Sequence, residues 1–348
     1  MAKVLLHSVT LDEFFPARKS VRSDDHHGGR EMTGAQMLLV DSARLDTFGV
    51  HSLTDDPEEA DLIIFAELGS QGLFAEWIRH HPWVKKYREK TFVFDVGDKT
   101  LPLLPGLYAS LRKGYYDAAR TRTGYYMRLD ENPYIDFRPV PEEPRYLGCF
   151  VGSLINYPVR RELKKISSDR MLVEDTSDFA QRMLYMSPEE KSQQFFPHYA
   201  DIMASAAFAL CPRGRGPGSI RLFEALMMGR CPVIISDEWV YPKRGDWASC
   251  SITVAERDIP QIPQILERYL PQAAELGLAA RKVWEEFYSM PVRFHWLVED
   301  CLEMLALRQR PEWLAGRLAW RHLLNATTIR RFLLSKKQIY RDTGRLVF

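Results

Sequence analysis

A glycine-rich stretch between two apolar runs limits the architectures open to this chain. The apolar run Ala207–Cys211 leads into Pro-Arg-Gly-Arg-Gly-Pro-Gly-Ser, helical periodicity follows over Ile220–Met228, and a second apolar run covers Pro232–Ser236. This order predicts a strand, a loop, a helix and another strand, which is the repeating unit of a parallel sheet covered by helices. The sequence therefore predicts an α/β fold here.

Alternation of this kind extends over most of the 348 residues, a length that favours two domains. The proline-rich, polar segment Asp130–Arg145 interrupts it and is typical of a linker. We predict Rossmann-like domains over 1–140 and 141–305 that face each other across a cleft, and a helical tail over 306–348. The other strand-like runs are Lys3–Leu6, Leu62–Ala66, Thr91–Asp95, Tyr146–Val151, Met171–Glu174 and Ser251–Val254.

Charge, cysteine usage and histidine spacing exclude several classes of protein. With a net charge of +1, the chain lacks the overall positive potential that attracts nucleic acid. The five cysteines are an odd number and form no CxxC pair, which predicts buried thiols in a reducing compartment. The only adjacent histidines, His26-His27 and His80-His81, point apart in regular structure, so we predict neither a metal site nor a cofactor.

Targeting signals are also missing from the apolar pattern. The first apolar run is too short for a signal peptide, and no run reaches the ~18 residues of a membrane-spanning helix. We therefore expect a cytoplasmic protein and disfavour secretion and Golgi anchoring.

The glycine-rich stretch has the composition of a phosphate-binding loop. Its glycines, including Gly218, allow a close backbone approach to a ligand, and Ser219 is a natural N-cap for the helix that begins at Ile220. The helix dipole favours an anion there, and Arg213 and Arg215 can hold phosphate oxygens in a fork. The stretch contains no GxxxxGK[ST] run, and the first strand is not followed by GxGxxG, so kinase-type and hydride-transfer folds are disfavoured.

An acidic residue follows one turn into the same helix. Glu224 lies three positions after Arg221, and its carboxylate can accept hydrogen bonds from both hydroxyls of a ribose. The alternative is a surface ion pair between Arg221 and Glu224. Because arginines, an N-cap and an acidic residue coincide, we favour nucleotide binding by this segment.

This stretch resembles the exostosin-like glycosyltransferases of family 47. A Pro-Arg-Gly-Arg loop, a Gly-Ser pair, an Arg-Leu-Phe-Glu-Ala helix and a Pro-Val-Ile-Ile-Ser-Asp strand occur in that order in the family. The resemblance covers Tyr146–Leu266 and is weaker upstream, where Phe94-Asp95-Val-Gly has phenylalanine in place of the family's histidine. It implies the GT-B fold, a UDP-sugar donor, inversion at the anomeric carbon, no required metal, and polysaccharide or glycolipid biosynthesis by a bacterial-type cytoplasmic enzyme.

An inverting transfer requires groups that stabilise the leaving diphosphate. Arg213, Arg215, Ser219 and the loop amides are candidates, and Arg161 or Arg160 on the basic helix could add positive charge. Two acidic residues after the strand Pro232–Ser236, Asp237 and Glu238, are candidates for holding the donor sugar, with helix capping as the alternative.

The reaction also requires a base for the acceptor hydroxyl. Carboxylates at the carboxyl ends of N-terminal strands suit this role, and we rank Asp95 first and Glu67 second. His26 and His27 are third. Capping or loop hydrogen bonding is the alternative for both carboxylates, and a mobile loop is the alternative for the histidines.

The basic tail and the choice of substrate both leave alternatives. In residues 308–348 arginines and lysines are interleaved with Trp and Leu, which suits either an anionic membrane surface or a helix packed on the body. The predicted partners are a UDP-sugar and a glycan or glycolipid acceptor. The alternatives are a fucosyltransferase-like enzyme that uses a GDP-sugar, a nucleotide-sugar hydrolase or epimerase, and a non-catalytic nucleotide-sugar-binding protein.

Overall fold

The computed structural model describes residues 1–9, 34–67, 75–98, 101–126, 132–178, 195–324 and 326–343. The chain divides into two compact units, one formed by Met1–Leu129 with Met290–Phe348 and the other by Asp130–Ser289. We call them unit 1 and unit 2. Unit 1 is therefore discontinuous in sequence, and unit 2 is a continuous insertion within it.

Unit 1 contains a parallel sheet of six strands in the order β2-β1-β3-β4-β5-β6. Its buried apolar face includes Leu5, Ile63 and Val93. The strands are β1 (Lys3–His7), β2 (Ser52–Leu53), β3 (Leu62–Glu67), β4 (Thr91–Asp95), β5 (Gly106–Tyr108) and β6 (Thr121–Arg122), and the helices that precede unit 2 are α1 (Gly34–Arg44), α2 (Glu76–His80) and α3 (Pro82–Lys86).

Unit 2 contains a parallel sheet of five strands in the order β11-β10-β9-β7-β8. Phe150, Phe208 and Ile235 are central to its core. The strands are β7 (Tyr146–Gly152), β8 (Met171–Asp175), β9 (Ala206–Pro212), β10 (Cys231–Ile235) and β11 (Ile252–Val254), and the helices are α4 (Pro158–Glu162), α5 (Phe196–Ala204), α6 (Ile220–Met228), α7 (Trp247–Cys250), α8 (Ile262–Tyr269) and α9 (Ala273–Val283).

Three C-terminal helices complete unit 1: α10 (Met290–Leu307), α11 (Glu312–Ala319) and α12 (Ala326–Thr343). The Ser42 hydroxyl on α1 donates to the carbonyl of Met290 at 2.6 Å and accepts from the Phe294 amide at 3.0 Å, which fixes the start of α10. On α12 the Ser335 hydroxyl donates to the buried Glu76 carboxylate at 2.9 Å. The tail is thus packed on unit 1, as one of its two predicted alternatives required.

The division differs from the predicted boundaries at 140 and 305. The backbone amide of Arg138 donates to the carbonyl of Met228, and unit 2 begins at Asp130, eleven residues before the predicted start at 141. Helix α10 belongs to unit 1 because its start is bonded to Ser42 on α1. The apolar periodicity of α10 resembles that of the helices before it and does not report this return to the first unit.

The predicted α/β class is confirmed, with two Rossmann-like units of the kind from which the GT-B fold is composed. All five cysteines are free and buried, as predicted. Within the described ranges, no helix is both long and apolar enough to span a bilayer.

Candidate functional site

The strand order of unit 2 reverses between β7 and β9. From β7 the chain adds β8 on one side, and it then crosses back to build β9, β10 and β11 on the other. In open parallel sheets ligands bind at the carboxyl ends of the strands beside such a reversal. Here these ends carry Ser153 after β7 and Arg213 after β9, and Arg213 begins the glycine-rich loop (residues 213–219).

A buried arginine on α4 joins these two strand ends. Arg160 Nε donates to the Arg213 carbonyl at 2.9 Å, and Nη1 donates to the Ser153 carbonyl at 3.3 Å. A Cβ at position 214 would lie 3.0 Å from Arg160 Nη2, which explains the glycine there. The neighbouring Arg161, which the sequence analysis also named, has an exposed side chain, and Arg160 is the residue that contacts the loop.

Arg213 is held on three sides by protein groups. Its guanidinium carbon lies 4.4 Å from the centroid of the Tyr157 ring, and Nη1 lies 3.1 Å from a Glu238 oxygen and 3.3 Å from a Glu256 oxygen. The side chain is buried, and Nε and Nη2 have no hydrogen-bond partner. These two nitrogens form the edge of the guanidinium that suits two oxygens of one anion.

Two serine hydroxyls at the same edge of the sheet are also buried without a partner: Ser219 at the start of α6 and Ser236 after β10. Ser219 occupies the N-cap position of α6, as predicted, with extended backbone and with a hydroxyl that makes no hydrogen bond to the helix. An unsatisfied buried polar group costs about 1–3 kcal/mol, so a further hydrogen-bond partner at either hydroxyl would be stabilising.

Arg221, in the first turn of α6, turns back onto β7. Its Nε donates to the Val151 carbonyl at 2.9 Å, and its guanidinium lies 4.7 Å from the centroid of the Phe150 ring. A Cβ at Gly152 would lie 2.0 Å from Arg221 Nη2, so only glycine leaves room for the guanidinium. Arg221 therefore brings positive charge to the end of β7.

Glu224, three residues further along α6, accepts a hydrogen bond from the hydroxyl of Tyr199 on α5. Burial, and then the charge of Glu224, raise the pKa of Tyr199 well above its usual value, so the phenol stays protonated as a donor. Tyr199 thereby orients the carboxylate that the sequence assigned to a ribose. That role stays a prediction.

The remaining predicted donor residues differ in their surroundings. Arg215 is exposed on the loop, whereas Gly218 is buried. Asp237 exchanges hydrogen bonds with Glu256: its amide donates to Glu256 Oε1 at 3.2 Å, and its Oδ1 accepts from the Glu256 amide at 3.1 Å. With Glu238 against Arg213, both acidic residues contact protein groups, and their predicted contacts with the donor sugar stay a prediction.

The predicted bases belong to unit 1. Glu67 and Asp95 end β3 and β4 and are register partners in the parallel ladder. Asp95 is buried, and its Oδ1 accepts from the Gly97 amide at 2.5 Å, which is the loop hydrogen bonding given as its alternative role. Their catalytic role stays a prediction. His26 and His27 lie outside the described residues.

Several residues of this site were missed by the sequence analysis. Ser236 directly follows β10, and Glu256 lies two residues after the end of β11. The rule that ligands bind at the carboxyl ends of parallel strands, which pointed to Arg213, could therefore have found both. Tyr157 and Tyr199 had no such signal, because they reach the site from before α4 and from α5.

Comparison with known proteins locates a family domain in unit 2. Residues 132–269 match the family model of the Exostosin GT47 domain. The chain is 41% identical over 92 residues to the Exostosin-1 homolog of Caenorhabditis elegans (26% of this chain, 24% of that one). It is 27% identical over 219 residues to Exostosin-1 of Drosophila melanogaster (58% and 28%).

A plant protein shows the same local similarity. The probable glucuronoxylan glucuronosyltransferase IRX7 of Arabidopsis thaliana is 42% identical over 77 residues (22% of this chain, 17% of that one). The chain thus spans between a sixth and under a third of the length of these curated relatives. The resemblance to exostosin-like glycosyltransferases is confirmed for the stretch that contains the site.

Proposed function

We propose that this chain, which carries an exostosin-type GT47 domain over residues 132–269, is a glycosyltransferase that moves a sugar from a nucleotide diphosphate bound in unit 2 to a hydroxyl of a glycan or glycolipid. The proposed donor is a UDP-sugar, the proposed stereochemistry is inversion, and no metal is required. We further propose that the enzyme works in the cytoplasm.

One observation carries the nucleotide site: four buried polar atoms without partners lie at the carboxyl edge of the unit 2 sheet. They are Arg213 Nε and Nη2, Ser219 Oγ and Ser236 Oγ. All four can donate hydrogen bonds, and a diphosphate offers several charged acceptor oxygens to such a set. The N-terminus of α6 favours the same charge.

Because these atoms are enclosed, part of the glycine-rich loop has to move when the ligand enters. Glycines at 214, 216 and 218 lower the barrier for such a change. The exposed Arg215 is suited to the first contact with the anion, before the buried groups are reached.

The proposed sugar transfer needs only protein groups to stabilise the leaving diphosphate and to accept the proton of the acceptor hydroxyl. The acceptor oxygen attacks the anomeric carbon, the bond from that carbon to the diphosphate oxygen breaks, and the nucleoside diphosphate leaves with the electron pair. Arg213 and the serine hydroxyls stabilise the charge on the leaving group. The acceptor proton passes to a carboxylate, for which Asp95 and Glu67 remain our candidates.

The donor site is tested by serine variants measured in pairs. Ser219→Ala and Ser236→Ala remove hydroxyls that lack partners, so we expect the melting temperature without ligand to stay the same or rise. Calorimetric binding of UDP should weaken by about tenfold, the equivalent of one hydrogen bond of about 1.4 kcal/mol. The control is Arg257→Ala, a change at an exposed arginine, which should alter neither value.

Unchanged UDP affinity in both serine variants would contradict this site. Tighter binding of GDP than UDP would replace the donor class with a GDP-sugar. Turnover of a UDP-sugar without acceptor would favour a hydrolase or epimerase. Transfer that persists in EDTA but is lost in Asp95→Asn or Glu67→Gln, with UDP binding kept, is the result expected for the proposed mechanism.

A further inference from the structure

Three side chains with the chemistry of metal ligands meet in unit 1, outside the groups considered above. His51, His295 and Glu299 each offer one donor atom, and these atoms all lie within 4.8 Å of one another. Both histidines are buried, and Glu299 is partly exposed. The group is therefore enclosed on one side and open to solvent on the other.

The two helical members are presented by a fixed element. His295 and Glu299 are four residues apart on α10, so they lie on the same face, one turn apart. The start of α10 is held by Ser42, as described for the fold. The ring of Phe48 stacks on His295 with centroids 3.9 Å apart and an interplanar angle of 11°, which fixes the plane of the imidazole.

His51 shows that the group is not satisfied by its own hydrogen bonds. Its Nε2 lies 3.0 Å from a Glu299 oxygen, yet the two atoms are not aligned as a hydrogen bond. Its Nδ1 has no partner either, and the imidazole is fully buried. A buried imidazole in this condition costs about 1–3 kcal/mol unless a further group contacts it.

We propose that His51, His295 and Glu299 bind a divalent transition metal of the zinc class, with water as a fourth ligand. Two imidazoles and one carboxylate are a ligand set that Zn²⁺ accepts at about 2.0–2.2 Å in tetrahedral geometry. Donor atoms on one such ion lie about 3.4 Å apart. The donor atoms all lie within 4.8 Å of one another, so the widest pair would have to close by about 1.4 Å at most when a metal binds.

The metal would act separately from sugar transfer. It would connect the segment before β2 to α10, which are 244 residues apart in sequence and both belong to unit 1. The proposal does not depend on the proposed function, because every residue of the donor site lies in unit 2. This separation in sequence also explains why adjacency of histidines predicted no metal site.

The test uses the full chain stripped of metal and titrated calorimetrically with Zn²⁺. We expect one equivalent to bind, and Glu299→Gln and His295→Ala to weaken that step by at least about tenfold, because even second-shell changes cost tenfold or more. The matched control is His198→Ala. His198 lies 3.0 Å from Glu174 on the surface of unit 2, so it reproduces a histidine–carboxylate pair without a third ligand.

A second readout identifies the geometry. Co²⁺ should give visible absorption typical of four-coordinate nitrogen and oxygen ligation, and Glu299→Gln should abolish it while the far-ultraviolet circular dichroism stays that of the wild type. EDTA should lower the melting temperature of the wild type without stopping sugar transfer. The proposal is overturned if Glu299→Gln binds Zn²⁺ as tightly as the wild type and the His198→Ala control do. It is also overturned if the wild type shows no stoichiometric binding step.

Discussion

At the residue scale, unit 2 depends on a buried arginine whose partners are backbone oxygens. The Arg230 side chain is fully buried directly before β10. Burial lowers its pKa to about 10, so it remains charged at neutral pH. It donates to the carbonyl oxygens of Met203, Ala204, Gly229, Arg138 and Pro139. It thereby attaches the proline-rich segment to the sheet.

We predict that Arg230→Lys destabilises unit 2 by about 2–4 kcal/mol. A lysine has three donors on one nitrogen and cannot reach five carbonyls in different directions, so buried acceptors lose their partners. Urea denaturation followed by tryptophan fluorescence measures the change. Arg257→Lys, at an exposed position, should be neutral, and equal midpoints for the two variants would contradict the role given to Arg230.

The contact between Gly152 and Arg221 gives a second prediction. In Gly152→Ala the added methyl group occupies the place of Arg221 Nη2, the end of a flexible side chain, so we expect the guanidinium to move while the fold is kept. UDP affinity should fall by about tenfold or more, the cost of one misplaced charged donor. Gly114→Ala, where a Cβ meets nothing within 4 Å, is the calorimetric control.

A third prediction concerns pH. Burial, and next the charge of His81, lower the pKa of His7 from 6.5 to about 4. The imidazole of His7 takes up a proton near pH 6.5 in the unfolded chain but only near pH 4 in the folded chain. Protonation therefore favours the unfolded chain, and the unfolding free energy, which is at its full value above pH 6.5, decreases as pH falls toward 4. Between pH 7 and pH 5 both proteins should lose unfolding free energy. The loss should be smaller by about 1 kcal/mol in His7→Asn, which lacks the imidazole, than in the wild type. Denaturant titrations at both values test this, and equal drops would refute it.

At this scale the sequence identified Arg213, Ser219 and Glu224 because each follows a strand end or opens a helix. It did not identify the partners of these residues. Glu238 was assigned to the sugar, but its carboxylate lies against Arg213, and Tyr199 was not considered although it orients Glu224. Such pairings depend on how α5 and β11 pack, which strand and helix periodicity does not contain.

At the scale of elements, helix α12 has one face on unit 1 and another that is apolar and uncovered. Lys336 is buried near Glu76, whereas Leu333 and Leu334 are 61% and 55% exposed and Ile329 is 44% exposed. The exposed Arg330 lies beside these residues. We propose that this face binds an anionic membrane surface, since basic and apolar side chains together suit the headgroup region.

The corresponding prediction is that the protein sediments with vesicles containing phosphatidylserine and that salt releases it. Leu333→Glu with Leu334→Glu should reduce the bound fraction about tenfold or more. Leu278→Glu, a change at a leucine of unit 2 that is 58% exposed, should leave binding unchanged. Equal binding of both variants would mean that α12 is not the contacting element.

Most strands that were predicted are long enough to show an apolar run, such as β3, β7 and β9, and the three-residue β11 was predicted as well. Three of the described strands were missed: β2 (Ser52–Leu53), β5 (Gly106–Tyr108) and β6 (Thr121–Arg122). The strands β2 and β6 have two residues, which is too few for a periodic signal, and β5 begins at a glycine that directly follows a proline. They belong to the sheet because longer neighbours extend their backbone pairing to them, so their existence follows from the fold and not from local sequence.

At the scale of the whole molecule, unit 1 is assembled from both ends of the chain. A buried ion pair illustrates this: Arg120 Nη2 lies 2.6 Å from a Glu312 oxygen, and both side chains are almost completely enclosed. The proline-rich segment 130–145, predicted as a linker, begins where the chain passes from unit 1 to unit 2. It could not indicate that the chain returns to the first domain, because contacts such as this one are distant in sequence.

We predict that residues 130–289 fold alone, whereas residues 1–129 do not. The shorter N-terminal fragment leaves Arg120 without its carboxylate, and breaking a buried pair costs about 3–5 kcal/mol. It also exposes the face of α1 that α10 covers. Thermal unfolding followed by circular dichroism should be cooperative for residues 130–289 and not for residues 1–129. Adding residues 290–348 to the fragment 1–129 should restore a cooperative transition. A cooperative transition of 1–129 alone would contradict this.

The discontinuity of unit 1 has a consequence for biosynthesis. A ribosome synthesises residues 130–289 of this chain before it synthesises α10, α11 and α12. The N-terminal sheet of the nascent chain therefore stays incomplete while the inserted unit folds. Chaperones that bind exposed apolar faces would act in this interval. Synonymous codons that slow translation after residue 289 should therefore lengthen the time for which the newborn protein is prone to aggregate.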